Sequence, residues 1–166
     1  MTIASIETLQ AKQLTGQAVL VRIDARDELK LYDARATLTF ACEAGARVVV
    51  ATHCGFDPEA APQLDAVAAR LSELLGRSVG KLDDWQGEGA QRAVHQLADG
   101  AVLMLGNLAH EAGETAGDDM VADRLSRLAE IYCNEAFGLE YEVRRQPSPS
   151  PNAQNTRSRE SPSSAS

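Results

Sequence analysis

The sequence is poor in aromatic residues. Phe, Tyr and Trp together make up 4% of it, so any core must be assembled from Ala, Val, Leu and Ile, which lets helices pack closely on a sheet. No apolar run approaches the roughly 20 residues needed to span a bilayer. The opening MTIASIETLQAKQL has no basic region followed by an apolar stretch, so a signal peptide is not expected. Cysteine is scarce as well. Cys42, Cys54 and Cys133 are an odd number at scattered spacings, which fits neither a disulfide framework nor a zinc pattern and points to reduced thiols in a cytoplasm. There is no GxxxxGKS or GxxxxGKT loop to cradle phosphates. Gly87-x-Gly89 falls at the start of a predicted helix without a strand on its border, so it carries no nucleotide fingerprint.

Positive charge is in deficit. The chain carries −8 overall, while the stretch from Arg144 onward holds four Arg and one Glu, which leaves −11 for everything before it. A region that acidic repels a nucleic-acid backbone or an anionic membrane at long range, so neither is an expected partner.

What the sequence does have is the balance of one globular domain: 166 residues, 44% hydrophobic and 24% charged. Short apolar runs occur at AVLVRID (18–24), ARVVVAT (46–52), SVGKL (78–82), AVLMLGN (101–107) and EIYCNEAF (130–137). Between them lie segments with helical spacing at 33–44, 63–75, 87–98 and 118–129. In 63–75, Leu64, Val67, Ala68, Leu71, Leu74 and Leu75 share one face; Val121, Leu125 and Leu128 form the stripe of the last segment. Gly45, Gly76 and Gly100 closely follow predicted helices, where a C-terminal cap needs positive φ. Strand–helix–strand alternation at this spacing predicts an α/β fold: a parallel sheet of about five or six strands flanked by helices, Rossmann-like. The continuously apolar strands agree, being of the kind buried on both faces.

After Val143 the composition changes to RRQPSPSPNAQNTRSRESPSSAS. That stretch has too little apolar surface to offset its ordering entropy, and the expected organisation is a domain over 1–143 with a disordered Pro/Ser/Arg tail over 144–166.

Open parallel sheets bind ligands outside the carboxyl ends of their strands, and polar residues gather there in this chain. Asp24 ends the first run, with Arg26 and Lys30 beyond it. His53 and Cys54 follow the second, Asn107 and His110 the fourth, and Asn134 with Glu135 close the fifth. Each has a plainer reading: Asp24 as a cap of the next turn, Asn134 as a partner of nearby backbone. Cys54 lacks a visible base and orienter. Asp24, His53, His110 and Glu135 could converge on a metal, yet no HxxxH or CxxC pair supports that, and no metal is expected.

Taken together, these strand ends resemble the N-terminal domain of phosphoglycerate kinase from Ile6 to about Val143. VLVRIDARDE (19–28) is similar to the family's VLVRVDFNVP. EAGARV (43–48) and THCGFD (52–57) follow the pattern EKGAKV and SHLGRP. LDAVAARLSELLGRSV (64–79) resembles the helix ending LLGK-V, LDDWQGEGAQRAVHQLADGAVLMLGNL (82–108) resembles DDCIGEEV…LKDGEVLLLENL, and YCNEAFG (132–138) mirrors YVNDAFG.

The resemblance implies a half-molecule. Family members bind 3-phosphoglycerate on a basic patch of the N-terminal domain and Mg-ATP on a second domain, and closure brings the two together for phosphoryl transfer in glycolysis. It implies substrate binding by Asp24, Arg26 and His53, with Lys30 in place of a catalytic arginine and no cofactor site in this chain. The basic patch is thinned: the family's Asn two residues after the Asp is Arg26, and its other arginines are replaced by Lys30, Phe56, Ala109 and Glu142. Each lost charge-assisted hydrogen bond costs roughly 1.5–3 kcal/mol of binding, and a lysine lacks the arginine fork. The expectation is therefore an incomplete phosphoglycerate kinase-like half, inactive by itself. It would pair with a separate nucleotide-domain chain or self-associate, serve as a non-catalytic interaction module, or be the truncated or frameshifted product of a two-domain gene.

Overall fold

The computed structural model describes residues 2–3, 10–26, 28–53, 64–107 and 119–136. The predicted tail, Cys54, His110 and the boundary at Val143 lie outside them. The elements in chain order are β1 (Thr2–Ile3), α1 (Ala11–Leu14), β2 (Ala18–Asp24), α2 (Glu28–Asp33), α3 (Arg35–Glu43), β3 (Arg47–His53), α4 (Leu64–Leu75), β4 (Val79–Leu82), α5 (Glu88–His95), β5 (Val102–Asn107), α6 (Asp119–Ser126) and β6 (Ile131–Asn134).

The strands form one six-stranded sheet in the order β1-β6-β2-β3-β5-β4, and every pairing is parallel. All five apolar runs are strands, as their patterning predicts. The sixth, β1, is two residues long and pairs Thr2 with Ile131 and Ile3 with Tyr132; so short a segment has no periodicity to read. The segment expected to be helical over 33–44 is α3, and helical structure already begins at Glu28 with α2. The amide of Ala34 donates to the carbonyl of Lys30 at 3.3 Å and that of Leu38 to Ala34 at 3.0 Å, carrying hydrogen bonding across the junction.

Because successive side chains of a strand point to opposite faces, β2 and β3 divide their residues between two cores. Val19, Val21 and Ile23 join Val48 and Val50 beneath α3 and α4, with Leu14, Leu38, Val67 and Leu71. Leu20, Val49 and Ala51 face α5 and α6, with Leu105, Trp85, Val94, Leu125 and Leu128. Each central strand thus buries apolar side chains on both faces, which is why it reads as an unbroken hydrophobic run.

The amino ends of the strands are clasped by arginine. Arg47 donates from Nη2 to the carbonyl of Gly16 at 3.0 Å and from Nη1 to that of His95 at 3.2 Å, at the end of α5. Arg77 donates to the carbonyl of Gly100 at 2.8 Å. Gly100 has φ +78, and a Cβ there would lie 3.0 Å from the Cys42 carbonyl oxygen, so the turn into β5 admits only glycine without strain.

The carboxyl ends carry the polar residues. Helix α3 leaves β2 on one face of the sheet, whereas α6 enters β6 from the other. Helices α3 and α4, which follow β2 and β3, cover one face, and α5 and α6, which follow β4 and β5, cover the other, so the described connections diverge between the neighbouring carboxyl ends of β3 and β5, where open α/β sheets accept ligands.

Candidate functional site

Asp24, the last residue of β2, is 1% exposed. A buried carboxylate must be paired or lose its charge, and Asp24 is paired twice. The Arg26 backbone amide donates to Oδ1 at 3.1 Å, which closes a local turn. The Arg26 guanidinium donates from Nε to Oδ1 at 2.9 Å and to Oδ2 at 3.0 Å, and from Nη2 to Oδ2 at 2.7 Å. Lys30, from the first turn and a half of α2, places Nζ 2.5 Å from Oδ2. Both cations remain partly open to solvent, with side chains 27% and 36% exposed.

Burial alone would push the Asp24 carboxyl upward. The hydrogen bonds from the Arg26 and Lys30 side chains and the Arg26 amide, with the charge of Arg26, outweigh it and hold the pKa at about 2, below the ordinary 3.8. At neutral pH Asp24 is a fixed anion and a poor proton acceptor. The three side chains Asp24, Arg26 and Lys30 together carry one negative and two positive charges.

The neighbouring strand ends complete the corner. His53 closes β3 and stands in register beside Asp24; its side chain lies outside what the structure describes. Asn107 ends β5 in register with Thr52 after an irregularity in the pairing between Val50 and Thr52, where the buried Thr52 hydroxyl donates to the carbonyls of Leu105 and Gly106. Beyond β6, the Glu135 amide donates to the Arg22 carbonyl at 2.8 Å. Its carboxylate accepts from the Thr37 hydroxyl of α3 at 2.5 Å. Asn134 accepts through Oδ1 from the amide of Ala136 at 3.0 Å, the plain role its position suggested.

Of the residues singled out in the sequence, the structure brings Asp24, Arg26 and Lys30 into direct contact and sets His53 beside them on the next strand. Glu135 is tied to α3, and its link to Thr37 was not foreseen, because the two are far apart in sequence and neither sits in a recognisable pairing pattern. Among the described residues no group of three or more His, Cys, Asp or Glu is arranged to hold a metal ion, and no described helix is long and apolar enough to cross a membrane.

A parallel sheet flanked by helices, with a buried acid and two basic side chains at a strand's carboxyl end, places the chain in the class of open α/β sheets. Its family is more specific. Residues 9–155 match the family model of phosphoglycerate kinase. The chain is 38% identical over 157 residues to a phosphoglycerate kinase of Salinispora tropica, covering 83% of this chain and 39% of that protein. It is 40% identical over 151 residues to one of Streptomyces griseus, covering 81% and 37%. The crystal structure of phosphoglycerate kinase from Pyrococcus horikoshii superposes with a TM-score of 0.66 at 25% identity, over 75% of this chain and 35% of that one. The chain belongs to the phosphoglycerate kinase family, and it spans less than two fifths of the length of the curated relatives it matches.

Proposed function

We propose that this chain is the acceptor-substrate domain of a phosphoglycerate kinase-type phosphotransferase: a cytoplasmic, weak oxyanion-binding domain that does not transfer phosphoryl groups by itself. The supporting observation is the corner formed by Asp24, Arg26 and Lys30. Arg26 and Lys30 present positive charge at the carboxyl end of β2, and the ligand they suit is 3-phosphoglycerate or a related small anion. His53 ends the neighbouring strand in register with Asp24, and on this reading it is the third ligand-binding residue. The replacement of the family's other arginines by Phe56, Ala109 and Glu142 makes this binding weak.

The family reaction moves a phosphoryl group between ATP and 3-phosphoglycerate and gains its rate from positioning and charge stabilisation. No step through the nucleotide is assigned to the described residues. On this reading the nucleotide-binding domain is supplied from outside these residues.

An NMR titration of the full chain with 3-phosphoglycerate, using 2-phosphoglycerate and sulfate as controls, tests the reading. Selective shifts at Asp24, Lys30 and His53 at millimolar ligand are expected, with no ATP consumption. ATP-dependent turnover by the purified chain would overturn it. A second reading, a non-catalytic interaction module, is favoured by the exposure of Leu29 (77%) and Tyr32 (56%) on α2. A strictly monomeric chain that captures no partner would count against that one.

A further inference from the structure

The oxyanion-binding reading leaves open what the crevice recognises in its ligand beyond charge, and Asp24 bears on this. A carboxylate is an acceptor only, with about four lone-pair positions. A buried carboxylate at a strand's carboxyl end would otherwise be the natural acceptor for a ligand hydroxyl. Here Oδ1 accepts from the Arg26 amide at 3.1 Å and Nε at 2.9 Å, and Oδ2 accepts from Arg26 Nε at 3.0 Å, Arg26 Nη2 at 2.7 Å and Lys30 Nζ at 2.5 Å. Both oxygens are fully engaged by the chain's own donors. Asp24 is 1% exposed, so no open side of the carboxylate remains for an incoming group.

Arg26 also has a standing advantage over any ligand. It lies two residues from Asp24 and is held by the turn that its own amide closes, so its fork is delivered at the high effective concentration of an intramolecular partner. Its bonds are charge-assisted and shared between both oxygens, whereas an alcohol would offer one neutral donor.

We propose that Arg26 is a specificity-determining residue: by filling the acceptor positions of Asp24 it makes the crevice recognise small oxyanions by charge, without reading a hydroxyl group on them. Asp24 is then a positioning residue that orients Arg26 and Lys30, and it does not contact the ligand. This rests on the oxyanion-binding reading given above.

The test compares two ligands that share a phosphate ester and a carboxylate and differ by one hydroxyl, 3-phosphoglycerate and the phosphate ester of 3-hydroxypropionate, titrated into the full chain and followed by NMR or calorimetry. The wild-type chain is expected to bind both within about twofold. Arg26→Ala, with the acceptor positions vacated, is expected to favour the hydroxylated ligand by about tenfold or more, the range in which a site that hydrogen-bonds a hydroxyl rejects its absence. Should that variant fail to fold, Arg26→Lys keeps the charge and removes the fork, and a preference above about threefold is expected. A purely structural Arg26 would leave the ratio of the two affinities unmoved. The inference alone is overturned if the wild type already prefers the hydroxylated ligand tenfold, or if the ratio is the same in wild type and variants. If the wild type binds neither compound nor inorganic phosphate, the oxyanion-binding reading falls and the inference with it.

Discussion

Replacing Asp24 with asparagine removes the charge that holds Arg26 and Lys30, and the effect should depend on pH in a way that identifies its cause. The folded-state carboxyl sits at about 2, against an ordinary 3.8. At about 1.4 kcal/mol per pH unit, that difference corresponds to about 2 kcal/mol of folding stability. Because the folded value is depressed, this stability is fully present above 3.8 and is lost as pH falls through 2. Urea unfolding followed by circular dichroism should therefore show wild type exceeding Asp24→Asn by about 2 kcal/mol at pH 7. The gap should shrink to about half of that at pH 3 and to below about 0.5 kcal/mol at pH 2. Asparagine is nearly isosteric and still accepts hydrogen bonds, so lost packing contributes little. A gap that stays constant from pH 7 to pH 2 would refute the reasoning, since the destabilisation would then have nothing to do with an ionised, paired carboxylate.

Other perturbations probe the scaffold around the site. Thr37→Val deletes the hydroxyl that donates to Glu135; a loss of roughly 1.5–3 kcal/mol is expected for a hydrogen bond to a charged acceptor, measured by the same urea titration. Gly100→Ala forces a Cβ against the Cys42 carbonyl at positive φ and should cost about 1–3 kcal/mol, read as a lower thermal midpoint. Leu71→Ala, at a fully buried position of α4, should cost about 2–5 kcal/mol. Leu29→Ser, on the exposed face of α2, should stay within about 0.5 kcal/mol of wild type, and a large loss there would mean that α2 is covered.

The strands were legible because β2, β3 and β5 are apolar on both faces, a pattern no surface element shows. The glycines at 45, 76 and 100 were legible because positive φ leaves few alternatives to glycine, and all three adopt it; Gly45 and Gly76 follow the ends of α3 and α4 as expected, whereas α5 ends at His95 and Gly100 serves the turn into β5. The strand order was not: it depends on which helix covers which face, and that is decided by contacts between segments far apart in sequence. The site divides in the same way. Its position at the strand ends followed from the parallel topology, and Asp24, Arg26 and Lys30 stood out as charged residues in the right place. Their mutual engagement did not stand out, because a sequence shows that Arg26 is near Asp24 without showing whether the guanidinium turns outward to a ligand or back onto the acid. The tie from Thr37 to Glu135 joins α3 to the end of β6 across 98 positions, beyond any local pattern.

The two margins of the sheet have a consequence for behaviour at high concentration. One is a strand of two residues, Thr2–Ile3. The other, Val79–Leu82, has four, and its Lys81 is anchored between Asp65 at 2.7 Å and Asp83 at 3.1 Å. Brief margins, one of them carrying a charged lysine in its middle, are poor templates for strand addition by another molecule. Among the described residues, crowding should not extend the sheet through these margins, and the exposed Leu29 and Tyr32 of α2 offer a more apolar surface for another molecule to meet.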